Sequence, residues 1–265
     1  FPLSSMTDEQ REVVKASLDD NVCVIAGKAG TGKSTFLRYV SQNTKKKHVI
    51  LAPTGIAAIN AGGSTLHSFF RIPFHPLLPN DNQYSPRNIR KTLKYSSNHS
   101  KLLRELELII IDEISMVRAD IIDFIDKVLR IYCRNMREPF GGKQMLFIGD
   151  VFQLEPVVKA DERAILNRFY PNPYFFSARV FREMHLVSIE LTKVFRQKDR
   201  GFIATLDRIR NNTVTDLELR LLNTRYAETP PSQSDNSLSI VLATRRDNVD
   251  HINQTELDKL PGEAV

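Results

Sequence analysis

Two short stretches concentrate the residue types that handle a triphosphate. The first, Gly27-Lys28-Ala29-Gly30-Thr31-Gly32-Lys33-Ser34, fits the pattern G-x-x-x-x-G-K-[ST] and runs through Thr35 into a segment of helical character. Glycines let successive backbone N–H groups turn inward around phosphates, a helix N-terminus adds the positive end of its dipole, and Lys33 supplies a cation for the β and γ oxygens. Ser34 is the residue type that ligates Mg²⁺ in such a loop. The second stretch, Leu108-Ile109-Ile110-Ile111-Asp112-Glu113, is an apolar run that ends in two carboxylates. Asp112 suits a Mg²⁺ ion held through water, and Glu113 suits orienting and deprotonating an attacking water. Taken alone, the same pair could simply open a helix, where acids favour the dipole; a phosphate loop upstream weighs against that. A third run ends in Gly149-Asp150-Val151-Phe152-Gln153-Leu154-Glu155-Pro156. Gln153 could sense a γ-phosphate, and by residue type alone it could equally be a surface glutamine.

These groups meet only if the runs before them are strands of one sheet. Apolar, β-branched runs over 22–26, 49–52, 108–111, 145–148 and 238–243 read as strands buried on both faces. Segments of helical period lie between them, as with Ile121, Ile125, Val128, Leu129 and Tyr132. Strands alternating with helices predict an α/β fold with a mostly parallel sheet, whose ligands bind at the C-terminal ends of the strands. Residues 72–100 break the rhythm with Pro73, Pro76, Pro79 and Pro86, and read as an insertion between two core strands. Composition changes again near residues 182–185, where a domain boundary is expected.

A chain of 265 residues, 42% hydrophobic and 26% charged, is an ordinary globular composition, which excludes disordered, collagenous and coiled-coil classes. Cys23 and Cys133 sit among apolar residues and read as reduced core thiols, and the six histidines show no metal-ligand spacing. With no long apolar run, no membrane span is expected. A bacterial cytoplasmic setting is the first expectation, nuclear or mitochondrial if the source is eukaryotic. The net charge of +6 is unevenly spread: between residues 36 and 104 eleven lysines and arginines face only Asp81. Six of those bases lie in 87–104, which is either a solvated basic face or a contact for a polyanion.

The order of motifs resembles the Pif (petite integration frequency) helicases, 5′-to-3′ DNA motors of helicase superfamily one, group B. The matching residues are Met6-Thr7-Asp8-Glu9-Gln10, the phosphate loop, Ala52-Pro53-Thr54-Gly55-Ile56-Ala57-Ala58-Ile59-Asn60, and Ser64-Thr65-Leu66-His67-Ser68-Phe69-Phe70. Asp112-Glu113-Ile114-Ser115-Met116, Pro139-Phe140-Gly141-Gly142 ahead of Gly149-Asp150 and Gln153, and Leu191-Thr192-Lys193-Val194-Phe195-Arg196-Gln197 complete the series. The resemblance implies a RecA-like P-loop NTPase domain over 1–184 with a small inserted subdomain at about 71–103, and the start of a second RecA-like domain over 185–265.

It also implies roles. Gln10 would read adenine with its amide, and Gly27, Ala29, Gly30, Thr31, Gly32, Lys33, Ser34 and Thr35 would cradle ATP with Mg²⁺ on Ser34 and Asp112. Lys33, Asp112, Glu113 and Gln153 would serve hydrolysis, and Arg196 would reach the γ-phosphate from the second domain. Pro53, Thr54 and Gly55 would hold one phosphate of a nucleic-acid backbone, with Asn60, Ser64 and His67 on neighbouring nucleotides and Thr244 as the counterpart of Thr54. Phe152 is a base-stacking candidate, whereas Phe69 and Phe70, being consecutive aromatics, favour the core. Lys91, Lys94 and Lys101 would border duplex or strand. The implied partners are single-stranded DNA and duplex or structured DNA, the chain acting as a monomer in replication, repair, recombination or telomere maintenance. The roughly 80 residues after Arg182 are too few for a complete second domain of this type, so the last helicase motifs lie outside the chain. A module that binds ATP and DNA but turns over slowly is therefore the rival expectation. A phosphate-loop kinase is a weaker one, since it gives no reason for the Thr54–Phe70 block.

Overall fold

Successive side chains of a strand point to opposite faces, so a strand made only of large apolar residues has to be covered on both sides. The computed structural model, which describes residues 7, 8, 11, 23–184, 186–195, 197–226, 240–260 and 262, shows that arrangement at β4 (Leu108–Ile111) and β5 (Gln144–Gly149). Every residue of both strands is buried. Around them β1 (Cys23–Gly27), β2 (His48–Ala52), β3 (Ser64–Thr65) and β6 (Val187–Leu191) complete a six-stranded sheet in the order β3-β2-β4-β5-β1-β6. All five pairings are parallel.

The helices of this part are α1 (Lys33–Asn43), α2 (Gly55–Ala61), α3 (Leu66–Phe70), α4 (Ile89–Leu93), α5 (Ser97–Glu105), α6 (Ala119–Tyr132), α7 (Ala160–Leu166) and α8 (Arg200–Arg210). Ile109, Ile111, Met145 and Phe147 share one core with Phe124, Ile125 and Val128 of α6. Leu108, Ile110, Leu146 and Ile148 share the other with Phe36, Leu37 and Val40 of α1. The period-two alternation of β4 thus splits its four residues evenly between two cores, and the expected α/β architecture is present.

Three features differ from the sequence reading. The first unit does not close at 184: β6 pairs with β1, and the compact unit runs to Asn211. The mixed pattern of β6 hid it, because only Ile189 and Leu191 are buried while Ser188 and Glu190 face outward, as suits an edge strand. Second, the proline-rich insertion is no separate subdomain. Ile72, Leu77, Tyr84, Ile89, Leu93 and Leu103 belong to the same core as α6. Tyr84 meets Phe124 edge-on at 5.3 Å, Arg90 Nη2 donates to the Ile131 carbonyl at 2.8 Å, and the Leu77 N–H donates to the Asp120 carboxylate at 2.9 Å. The prolines erased the periodicity but left these apolar anchors, while Lys91, Lys94 and Lys101 stay on the outside.

The third difference lies in the second compact unit, from Asn212 onward, whose described elements are α9 (Asp216–Asn223) and α10 (Arg246–Leu257). Thr215 caps α9: its N–H donates to Glu218 at 2.8 Å and its hydroxyl also donates to that carboxylate. The strand expected over 238–243 is not formed where it is described; Ile240, Val241 and Leu242 are exposed and non-helical. A strand needs a ladder partner for its N–H and C=O groups, and the described residues of this unit hold no other strand. Elsewhere the Cys133 thiol is free, as expected, and rests on the Leu103 carbonyl at 3.5 Å, its pKa raised by burial.

Because the insertion shares its core with α6, Leu103→Ala should lower the stability of the whole first unit by about 2–5 kcal/mol. Urea unfolding followed by tyrosine fluorescence and by far-UV circular dichroism should shift as one transition. A separate early transition confined to the insertion would contradict the shared core.

Candidate active site

Parallel strands carry all their C-terminal ends to one edge, and the chemistry-bearing residues follow those ends. The phosphate loop leaves β1, Thr54 follows β2, His67 follows β3, Asp112 follows β4 and Asp150 follows β5. The loop bends at Gly30 (φ 79°) and Gly32 (φ 89°), left-handed conformations that glycine adopts at no steric cost. Thr31 is buried, and its hydroxyl closes the loop by donating to the Lys28 carbonyl at 2.9 Å, so it offers a ligand only its backbone. Gly27 has no room for a side chain: a β-carbon there would lie 2.7 Å from Thr31 Oγ1 and 2.9 Å from the Leu191 carbonyl. Lys33 turns its ammonium into the loop, donating to the carbonyls of Gly27 at 2.6 Å and Lys28 at 3.0 Å. Burial lowers its pKa, against the opposing pull of the Asp150, Glu113 and Asp112 carboxylates.

The segment after β6 is fastened to the same loop. The Phe195 N–H donates to the Gly30 carbonyl at 2.8 Å, and Asp207 of α8 pairs with Lys28 at 2.5 Å. Ala29, Gly30, Gly32, Lys33, Ser34, Thr35, Glu113, Gln153 and Phe195 line a cleft of about 310 Å³. Gln153 is exposed and borders the cleft with the phosphate loop.

Asp112 continues β4 by donating its N–H to the Leu51 carbonyl at 2.9 Å, and its Oδ1 accepts from the Glu113 N–H at 3.0 Å. Glu113 takes a left-handed backbone conformation (φ 52°), strained for a residue with a β-carbon. That turn ends the strand and directs the chain into the 3₁₀ turn Ile114–Met116, against which Gly149 packs so closely that a β-carbon would lie 3.0 Å from the Ile114 nitrogen. Burial raises the pKa of both acids; for Glu113 the charge of Asp112 adds to the rise while Lys33 opposes it. Ser34, Asp112 and Glu113 also border a second recess together with Asn60. One hydroxyl and one carboxylate suit Mg²⁺, a hard cation that takes few protein oxygens and completes its shell with phosphates and water. Among the described residues no cluster of three or more His, Cys, Asp or Glu forms a protein-only cage.

The nucleic-acid candidates of the first unit lie on the same edge. Thr54 caps α2 by accepting the Ala57 N–H at 3.2 Å, which leaves its hydroxyl proton to donate. Gly55, Asn60 and Ser64 are exposed beside it, and Pro53 is half-buried. His67 stacks on Phe74 at 5.1 Å with rings 7° from parallel, its pKa lowered by burial and then by Arg118. Phe74 itself is 89% exposed, a stacking surface that sequence pattern did not single out. Phe70 is fully buried and Phe69 packs against the core, as their adjacency suggested. Phe152 is 62% exposed, with the Arg210 guanidinium 4.4 Å from its ring centroid. Arg210 also meets Asp150, 60 residues away in sequence, a distance over which spacing gives no signal.

Gln10 and Arg196 lie outside the described residues. Thr244 belongs to the second unit, exposed just before α10.

Residues 5–225 match the family model described as PIF1-like helicase. The chain belongs to that family. Its PIF1-like relatives include the ATP-dependent DNA helicase PIF1 of Saccharomyces cerevisiae (strain YJM789), 32% identical over 268 residues, and that of Homo sapiens, 32% identical over 260. Each alignment covers 98% of this chain, but only 29% of the yeast relative and 38% of the human one. Among solved structures, Bacteroides Pif1 in complex with ADP-AlF3 and single-stranded DNA is 44% identical with a TM-score of 0.87, over 97% of this chain and 58% of that one. The PIF1-like match includes every candidate named above except Thr244.

The raised pKa of Glu113 fixes the sign of a stability effect. A carboxyl whose folded-state pKa exceeds the unfolded value stabilises the fold fully below the unfolded value, near 4.5, and that contribution is lost as pH rises through the folded-state value. Glu113→Gln, which stays neutral, should therefore melt higher than the parent at neutral pH, by about 2–4 °C for each kcal/mol recovered. The gap should shrink as pH falls towards 4.5. Calorimetry across that range checks it; a variant that melts lower than the parent at neutral pH would contradict the buried-carboxylate reading.

Proposed function

We propose that this chain hydrolyses ATP with Mg²⁺ and uses the cycle to move along single-stranded DNA in the 5′-to-3′ direction, separating duplex or structured DNA. The observation that carries this reading is the shared sheet edge. The phosphate loop, the Asp112-Glu113 pair, the Thr54–His67 block and the 150–153 loop all follow C-terminal strand ends of one parallel sheet. The names of the yeast and human relatives, and the nucleotide analogue and single-stranded DNA bound by Bacteroides Pif1, support the same assignment. A second structure, of Pif1 helicases at forked duplex DNA, supports the strand-separating part. Because the chain spans 29% to 58% of these relatives, the whole cycle is carried over as a proposal.

In this reading Lys33 exchanges the Gly27 and Lys28 carbonyls for phosphate oxygens, and the loop N–H groups bind the rest of the triphosphate. Mg²⁺ held by Ser34 and Asp112 supplies charge neutralisation on the phosphates when bound. Glu113 accepts the proton of the attacking water, a task for which a raised pKa suits it better than an ordinary carboxylate. Arg196, by its family resemblance, would stabilise charge developing on the γ-phosphate. Thr54 and its neighbours bind backbone phosphates without reading sequence.

Lys33→Ala should abolish hydrolysis while affinity for an oligothymidylate stays within about twofold, as measured by phosphate release and fluorescence anisotropy. Hydrolysis stimulated by single-stranded DNA favours the motor; binding without turnover would make the chain a binding module instead. Thr54→Val and His67→Ala should weaken oligonucleotide binding for all sequences alike and leave the slope of log affinity against log salt nearly unchanged, since neutral groups release few counterions. Loss confined to one sequence would contradict their backbone role.

A further inference from the structure

We propose that Arg210 is the positioning residue that couples the nucleotide cleft to the nucleic-acid track. The inference rests on the function proposed above. Arg210 is the last residue of α8, the helix whose Asp207, nearly one turn earlier, holds Lys28 of the phosphate loop. Its Nη1 lies 2.5 Å from both carboxylate oxygens of Asp150, with the two side chains 17% and 2% exposed. That places the pair in a different class from a solvent-facing ion pair: removing one partner strands a buried charge.

Asp150 in turn organises the loop that follows β5. Its Oδ1 accepts the Phe152 N–H at 3.1 Å, and its carbonyl accepts the Gln153 N–H at 3.0 Å. One carboxylate residue thus fixes the backbone of both the glutamine that borders the nucleotide cleft and the phenylalanine exposed on the track. The Arg210 guanidinium closes the circuit by lying over the Phe152 ring at 4.4 Å. A cation on one face of the ring holds it in place by the cation–π attraction and leaves the opposite face for a base. Two arrangements of Gln153, with and without a γ-phosphate to engage, therefore become two arrangements of Asp150, Arg210 and Phe152. Arg210 is not among the residues that line the nucleotide cleft, and its effect passes through the groups it holds.

Coupling between two ligands is reciprocal and is read as the factor by which one changes the affinity of the other. The test measures the affinity of a fluorescent oligothymidylate of about a dozen nucleotides with and without the non-hydrolysable analogue AMP-PNP, and the affinity of a fluorescent ADP without DNA. The parent should show a coupling factor of roughly 5–150, the usual range for linked sites. Arg210→Ala should bring it to within about twofold of unity with ADP affinity held within about threefold. Arg210→Lys, which keeps the charge but not the planar stacking group, should fall between.

Because Arg210→Ala leaves Asp150 buried without its partner, the neutral pair Asp150→Asn/Arg210→Gln is measured alongside it, and melting curves confirm that each variant is folded at the assay temperature. A purely structural role would lower the melting temperature and leave the coupling factor intact. Coupling equal to the parent in the folded variants, or a parent that binds both ligands without coupling, overturns the proposal. A parent that binds neither ligand overturns the function on which it rests.

Discussion

The geometry of this molecule follows from burying β4 on both faces. With Ile109 and Ile111 in one core and Leu108 and Ile110 in the other, the strand has no freedom to slip by one residue, because a slip would draw Glu107 or Asp112 into the buried span. Asp112 and Glu113 are then held at a fixed height on the sheet edge, and β5 does the same for Asp150. The carboxylates sit around Lys33 because three neighbouring strands end together, and the lysine needs no reach of its own to find them. The clustering of these charges is in this sense a by-product of hydrophobic register.

That register is also why so much was legible in the sequence. Continuous apolar runs such as Leu108–Ile111 announce a doubly buried strand, and a glycine loop after one of them admits few other uses. What escaped detection shares a different physics. β6 alternates because it lies at an edge, β3 is two residues long, and the insertion is anchored by scattered residues such as Leu77 and Tyr84 whose spacing has no period. The Arg210–Asp150 pair links residues brought together only by the whole fold, and Phe74, though exposed, stacks on His67 in a pairing that no local pattern encodes. On the other side, the run over 238–243 has the composition of a strand but no ladder partner where it is described, and composition cannot supply one.

The site departs from the consistency of the core around it. Glu113 is held in a left-handed conformation, two neighbouring carboxylates are half-buried, and Lys33 is drawn into a loop of carbonyls. Each departure works against folding and each places a group where a triphosphate would be handled, which is the usual relation between a rigid scaffold and a strained site. The scaffold tolerates it because the two cores beneath the edge are dense with fully buried aliphatic and aromatic side chains.

The tether between Phe195 and Gly30 is a bond between backbone atoms, and Gly27 fits closely against the Leu191 carbonyl. The tether makes no use of the Phe195 side chain, whereas Leu191 is itself buried in the core with Phe36 and Leu37, so tolerance of substitution differs sharply between the two positions. Gly27 is irreplaceable in this arrangement, since any β-carbon there would pry strand and loop apart. The joint ahead of the arginine-bearing segment thus hangs on backbone proximity, and a single methyl group at Gly27 is enough to break it.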